Sequence, residues 1–362
     1  MASERRYAVL AHNELGTFHA KTAHGVMAYG VSPTVVVIDR AHAGHSVREI
    51  VPHLQCDAPI VASFAEAKQF GPTALLIGIA PSGGVLPPDW RAEIVQALES
   101  GLEIVNGLHL TFRDDDEFNA AARRGGGSIW DVREPPASIP LFSGAAWEVP
   151  AHVLLTVGSD CAVGKMTVSL ELARAARDAK RNVAFVPTGQ TGIMIAGWGI
   201  AIDRVISDFA AGAAEQLVLT AARDHDLLIV EGQGSINHPA YAPVTLGLLY
   251  GSAPDALLLV HDLSRTEAVG FPTPVLSYSE LIRIYELLCS TVKPARVVGI
   301  ALNTSSLSPD DAQKAINDAI FETGLPCDDV VRNQPHNLWR AIAPVLTQKT
   351  RPVRAKARVP SS

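Results

Sequence analysis

The chain has 362 residues, 48% hydrophobic and 19% charged, with 30 basic against 37 acidic side chains and a net charge of −7. That length accommodates two domains with full cores, and the acid excess argues against nucleic acid as the principal partner. The start, Met1 to His12, lacks the apolar run of a signal peptide, and no window approaches the ~18 apolar residues that span a bilayer. The expectation is a soluble, cytoplasmic α/β protein away from membranes.

In chain order, Tyr7-Ala-Val-Leu-Ala11, Thr34-Val-Val-Val-Ile38, Ala74-Leu-Leu-Ile-Gly-Ile79 and Glu103-Ile-Val105 are apolar throughout, the composition of parallel strands covered on both faces. Between the last two, Pro88 to Gly101 carries proline at a helix start and glycine just past its end. Alternating strands and helices predict a Rossmann-like open parallel sheet over residues 1–140. The first strand runs into His12-Asn-Glu-Leu-Gly-Thr17, which is not a dinucleotide fingerprint, although Asp39 and Pro81-Ser-Gly-Gly84 also stand at strand ends that line a crevice in such folds.

From Gly125 to Pro150 the pattern breaks into glycines and prolines, the composition of a connector. A second series comes next, with strands expected at Val153–Val157, Val183–Pro187, Leu227–Val230, Ala256–Val260 and Arg296–Ala301. It predicts a second parallel-sheet α/β domain over 150–346. Residues 347–362 are basic and aperiodic, and a disordered tail is expected there.

The chemistry gathers in the second series. Gly158-Ser-Asp-Cys-Ala-Val-Gly-Lys-Met-Thr167 joins a strand to a helix. It departs from G-x-x-x-x-G-K-[ST] by one extra residue before Gly164 and by Met166 between Lys165 and Thr167, yet keeps the features that bind phosphate. These are a glycine turn, a helix N-terminus and a lysine charge. Gly158, Ser159, Gly164, Lys165, Met166 and Thr167 are the residues expected to hold a nucleotide or nucleotide-bearing coenzyme.

Other strand ends point to the same crevice. Glu231-Gly-Gln-Gly234 puts a carboxylate where it orients a magnesium ion or serves as a general base. Pro187-Thr-Gly-Gln-Thr-Gly192 supplies Thr188, Gln190 and Thr191, and the loop after Glu231 supplies Gln233, Asn237 and His238, as substrate contacts. Asp160 and His261 are further acid–base candidates, and Asn303 has the donor and acceptor that an adenine edge needs. Cys161, near a helix N-terminus, is read as a small loop side chain or as an acyl-accepting thiol. Arg204, Arg265 and Arg283 are surface or ion-pair residues, or clamps for carboxylates. The four cysteines, Cys56, Cys161, Cys289 and Cys327, show neither CxxC nor ligand spacing, so neither disulfides nor a zinc site is expected.

The loop Gly158–Thr167 and Val230-Glu-Gly-Gln-Gly234 resemble the variant phosphate loop and following acid of dethiobiotin synthetase and the cobyrinic acid amide synthases. A closer resemblance, over nearly the whole chain, is to a bacterial family long catalogued as a domain of unknown function, with a Rossmann-like N-terminal domain and a P-loop NTPase-like C-terminal domain. It rests on Pro187-Thr-Gly-Gln-Thr-Gly-Ile-Met194, Asp203-Arg-Val-Ile-Ser-Asp-Phe209, Glu231-Gly-Gln-Gly-Ser-Ile-Asn-His-Pro239 and Gly299-Ile-Ala-Leu-Asn-Thr304. The resemblance implies D-glutamate N-acetyltransferase activity, ahead of a cyclase of the enolase superfamily in bacterial D-glutamate breakdown. Acetyl-CoA is then the acetyl donor, its phosphates on the loop. No metal is required, and Glu231 is the first choice of base, with Asp160 and His261 behind it. The rival reading is an ATP- and magnesium-dependent ligase or kinase, with Thr167 and Glu231 at the magnesium. A homo-oligomer is expected for an enzyme of this size.

Overall fold

The structure is a computed structural model and describes residues 5–81, 84–347, 349 and 352. The chain packs as two compact units. One is formed by residues up to Pro135 together with Gly189–Ala201, the other by Pro136–Thr188 together with the residues from Ile202 onward.

The first unit holds six parallel strands: β1 Tyr7–Leu10, β2 Thr34–Ile38, β3 Ile60–Val61, β4 Ala74–Ile77, β5 Glu103–Asn106 and β6 Ser128–Asp131. Their order, β3-β2-β1-β4-β5-β6, is that of the doubly wound Rossmann sheet. β1 and β4 are buried at every position, as their unbroken apolar runs require. The predicted helix forms as a 3-10 turn at Pro88–Trp90 continuing into Arg91–Glu99, with Gly101 beyond it at φ +83°. Trp90, Ile94 and Leu98 pack with Phe64, Phe112 and Phe118 in the core. β6 falls inside the stretch expected to be a connector. It is a sheet edge whose Ser128, Ile129 and Trp130 are not fully buried, so its sequence carries little of the apolar signal. Ser82 and Gly83 of the Pro81–Gly84 candidate lie outside the described residues.

A piece of later sequence completes this unit. The helix Gln190–Ala196 brings Thr191 Oγ1 to 3.2 Å from Thr22 Oγ1, and Met194 packs on Gly107, where a Cβ would lie 2.7 Å from Met194 Cε.

The second unit has β7 His152–Gly158, β8 Val183–Val186, β9 Leu227–Val230, β10 Ala256–Asp262, β11 Arg296–Asn303 and β12 Cys327–Asp328, again all parallel. The order is β12-β11-β10-β7-β9-β8, which puts β7 between β10 and β9. The five longer strands are the five apolar runs of the sequence; the two-residue β12 has no such signature. The proline-rich segment 136–150 packs here: Glu215, buried in the helix Ser207–Ala221, accepts from the backbone of Ser143 and Ala146 and from Ser143 Oγ. Gly212 admits no side chain, since a Cβ would come within 1.8 Å of the Pro140 carbonyl oxygen.

Most of the expected basic tail lies outside the described residues. Within it, Thr347 ends a 3-10 turn, and Lys349 Nζ bonds the Ala151 carbonyl and lies 3.1 Å from Asp255 Oδ2. Among the described residues no helix is long and apolar enough to cross a membrane.

Candidate active site

The site sits at the carboxyl ends of β7, β9 and β10. β7 ends at Gly158, and the chain turns through Ala162 (φ +54°) and Gly164 (φ +104°) into the helix Lys165–Asp178. Gly164 holds a left-handed conformation that is costly for other residues, so the early amides of the helix open onto the loop. Lys165 folds back over this turn. A Cβ on Gly158 would lie 2.7 Å from Lys165 Nζ, and one on Gly232 would lie 3.1 Å from Lys165 Cδ and 1.8 Å from the Thr156 carbonyl oxygen. The two glycines are therefore the clearance for the lysine stem.

Lys165 is 6% exposed, its Nζ donates to the Asp160 carbonyl at 2.7 Å, and among the described residues no acid pairs with it. Burial lowers its pKa to about 8, against the opposing pull of Cys161, Asp160 and Glu231.

Residues invisible to motif reading brace the loop from below. Tyr285, from the helix Tyr278–Ser290, donates to the Gly158 carbonyl at 2.8 Å and accepts the Ile236 N–H at 3.1 Å; burial pushes its phenol up to about 12, so it stays protonated. Thr156 Oγ1 accepts the Gly232 N–H at 2.9 Å and lies 3.1 Å from Ser169 Oγ, which donates to the Lys165 carbonyl. Ser235 Oγ stands 2.8 Å from the Gly158 carbonyl and 2.5 Å from the Asn237 amide oxygen, but has one hydrogen to give. The Asn237 Nδ2 is buried without a partner, so a half-turn of that amide, placing Nδ2 against Ser235, satisfies both.

Glu231 latches β9 to β8: its Oε2 accepts the Thr188 N–H at 2.9 Å, its carbonyl accepts the Thr188 hydroxyl at 2.7 Å, and Gln233 Nε2 donates to that hydroxyl at 3.2 Å. Glu231 and Thr188 are buried. Opposite, His261 Nδ1 lies 2.7 Å from Ser159 Oγ, and burial lowers the imidazole pKa so that the neutral ring prevails.

Asp160, a base candidate from sequence, is a loop clamp in the structure. Its Oδ1 accepts the Cys161 N–H at 2.7 Å and its Oδ2 the Val269 N–H at 2.9 Å. His238 is held likewise. Its Nδ1 accepts the Ala240 N–H at 3.1 Å, so the proton is on Nε2, which donates to the Val269 carbonyl at 3.0 Å. A carboxylate oxygen of Asp160, the Cys161 sulfur and a His238 nitrogen lie within 4.8 Å of one another, a spacing one cation can bridge. The histidine tautomer opposes that use, because the nitrogen facing Asp160, at 3.8 Å, carries hydrogen rather than a lone pair.

Asn303 makes both of its amide bonds within the protein: Nδ2 donates to Asp262 Oδ2 and Oδ1 accepts the Ser305 N–H, each at 3.1 Å. These bonds tie the ends of β10 and β11 together and leave the amide one further N–H. Met166 and Thr167 form the partly buried first turn of the loop helix. Gln190 and Thr191 belong to the first unit, while Thr188, two residues before Gln190, belongs to the second with Glu231. Arg204 and Arg283 are exposed, and Arg265 keeps a buried Nε with no hydrogen-bond partner.

A parallel sheet whose central strand enters a glycine-turned loop, with a lysine folded into it from the following helix, defines a P-loop domain. Residues 140–339 match the family described as "Domain of unknown function (DUF1611_C) P-loop domain", and residues 40–135 match its "DUF1611_N Rossmann-like domain". The chain belongs to this family. A Pseudoalteromonas protein named D-glutamate N-acetyltransferase is 41% identical over 273 residues, 75% of this chain and 81% of that protein. One of the same name from Tritonibacter scottomollicae is 38% identical over 282 residues, 77% and 84% of the two chains. The crystal structure of a DUF1611 family protein from Anabaena variabilis superposes with a TM-score of 0.90 at 43% identity, covering 94% of this chain and 99% of the other. The chain is thus an enzyme of a two-domain α/β family.

Proposed function

We propose that this chain transfers acetyl from acetyl-CoA to the amine of D-glutamate, in the cytoplasmic breakdown of that amino acid. The observation that carries the reading is 41% identity over three quarters of the chain with a protein named for that reaction. The site suits it: coenzyme A brings a pyrophosphate and a 3′-phosphate, and the loop offers a buried lysine, without an acid partner among the described residues, beside the amides of a helix N-terminus.

The amine must lose a proton before it attacks the thioester carbonyl. Glu231 stands first as the acceptor of that proton, directly after β9 and next to the glycines that clear Lys165. His261 stands second, because burial keeps its imidazole in the neutral form that can accept a proton. The nitrogen–carbon bond forms, the carbon–sulfur bond breaks, and the coenzyme leaves as thiol with the proton taken from the amine.

Incubation with acetyl-CoA and either enantiomer of glutamate, followed by NMR of the product, tests the reading. N-acetyl-D-glutamate formed without ATP is the expected result. ADP formed from ATP and magnesium, with no acetylated product under either condition, would establish the ligase or kinase reading instead. Glu231→Gln is expected to lower kcat about 10²–10³-fold; an unchanged rate removes Glu231 as the base.

A further inference from the structure

We infer that Arg265 binds a carboxylate of the acceptor, so that the span leaving β10 recognises a dicarboxylic amino acid. The inference rests on the acetyl-transfer reading above and deepens it by assigning a residue to the acceptor's charge.

Placement is the first ground. β10 lies beside β7, the strand that feeds the phosphate loop, with Val260 opposite Gly158, and the Val260 carbonyl accepts the Ser159 N–H. The chain leaves β10 at Asp262 and turns at once, the Arg265 N–H donating to the Asp262 carbonyl at 2.9 Å. A little further on, Val269 is fastened to the same loop: its N–H donates to Asp160 Oδ2 and its carbonyl accepts from His238 Nε2. Arg265 therefore sits on a short span held to the phosphate loop at both ends.

Charge is the second. Arg265 Nε is buried and makes no hydrogen bond, and among the described residues no acid pairs with the guanidinium. The acids nearby are engaged elsewhere. Asp262 Oδ1 accepts the Ser264 N–H and hydroxyl at 2.9 and 2.7 Å, and its Oδ2 accepts from Asn303. Both oxygens of Asp160 accept main-chain N–H groups. A guanidinium donor kept from water without an acceptor is costly, and an oxyanion brought by a ligand offsets that cost. The residue is only partly buried, so part of the side chain stays open to solvent, and its planar fork matches the two oxygens of a carboxylate. Arg204 and Arg283 are exposed, where a guanidinium gains little from pairing.

The surroundings are the third. The span runs into a hairpin in which Glu267 pairs with Pro274 and the Ala268 N–H donates to the Thr273 carbonyl. Beyond Arg265 this hairpin exposes Val269 and Phe271, and the Phe271 ring stands 5.3 Å from that of His238. Tyr241, also exposed, lies 4.7 Å from the same imidazole. An unpaired guanidinium on a span with exposed apolar side chains suits a carboxylate carried on a short hydrocarbon chain, as in glutamate.

The test compares wild type, Arg265→Met and Arg265→Lys, each checked for folding by its melting temperature. The acceptors are D-glutamate and its two monoamides, D-glutamine and D-isoglutamine. In the wild type one monoamide should be poorer than D-glutamate by roughly 10–100-fold in kcat/KM, as loss of a hydrogen-bonded charge pair requires. Arg265→Met should lower kcat/KM for D-glutamate by the same factor, mainly through KM, and erase its lead over that monoamide. Arg265→Lys keeps a charge without the fork and should fall between the two. Calorimetric affinity for coenzyme A should stay within about twofold in both variants. Weaker coenzyme A binding with an unchanged preference among acceptors assigns Arg265 to a coenzyme phosphate and overturns the proposal. So do folded variants that match the wild type with all three acceptors. Titration of glutarate, a dicarboxylate without an amine, reads the site without turnover. Glutarate binding that Arg265→Met weakens at least about tenfold, in an enzyme that never acetylates glutamate, keeps the carboxylate site and sinks the substrate assignment.

Discussion

The two units build the same architecture, a six-stranded parallel sheet, and differ in the loop that leaves the central strand. After β1 the chain enters Ala11-His-Asn-Glu14, whose polar groups bond mostly to nearby residues, although the buried His12 Nε2 makes no hydrogen bond. Asp39, fully buried, accepts the N–H groups of Asn13 and Ala41 and bonds His42 Nδ1; His12 accepts the Arg40 N–H and lies 3.4 Å from Glu93. After β7 the chain enters a glycine turn holding a buried lysine that no acid among the described residues pairs with. Equal topologies thus differ in electrostatics: the first loop holds a buried carboxylate against main-chain N–H groups and a histidine, and the second holds a buried ammonium on a main-chain carbonyl. Asp39, a crevice candidate in the sequence, ties the loop after β1 to the turn after β2.

Substitutions can break or sharpen that contrast. The largest expected effect is Gly232→Ala, whose Cβ would meet the Thr156 carbonyl oxygen at 1.8 Å and the Lys165 stem at 3.1 Å; activity should fall below detection while circular dichroism retains the sheet signal. Lys165→Ala should weaken coenzyme binding and lower kcat/KM about 10²–10³-fold with little loss of stability, read from initial rates and a denaturant midpoint. Asp39→Ala should do the reverse. It leaves two backbone N–H groups without their acceptor, and urea melts should show about 2–4 kcal/mol of destabilisation with kcat/KM within about threefold. An Asp39→Ala enzyme that is stable but inactive would reassign the first loop to the site.

Tyr285→Phe is expected to be milder. It removes one bond to each of two loops, about 1–3 kcal/mol of stability, and should raise the KM for acetyl-CoA more than it lowers kcat. The smallest effect is that of pH. Lys165 in the free enzyme loses its charge as pH rises through about 8, and a phosphate ligand favours the charged form. Affinity for coenzyme A should therefore be level below pH 8 and fall above it by at most about tenfold per unit, a slope that Lys165→Ala abolishes.

Much of this was legible in the chain. Buried parallel strands are apolar at every position, so nine of the twelve could be marked from sequence, and a glycine–lysine loop between strand and helix is a local pattern. The features that stayed hidden were set by distance in sequence or by lack of composition. β3 and β12 have two residues each, and β6 is a polar edge. The partition of Gln190–Ala196 into the first unit leaves no composition mark, since an apolar helix looks the same whichever sheet it covers. Tyr285 reads as one more core aromatic on an amphipathic helix until Gly158 and Ile236 are seen on its hydroxyl. Asp160 and Asn303 carry the right chemistry for a site, but their lone pairs and hydrogens serve their own loops.

The most direct test of the loop's ligand is a pair of calorimetric titrations, coenzyme A and ATP with magnesium, each into the wild type and Lys165→Ala. Coenzyme A should bind the wild type and weaken at least about tenfold on the variant, the cost of removing one charge-assisted phosphate contact. Tight binding of ATP with magnesium, together with no heat from coenzyme A, would contradict the account.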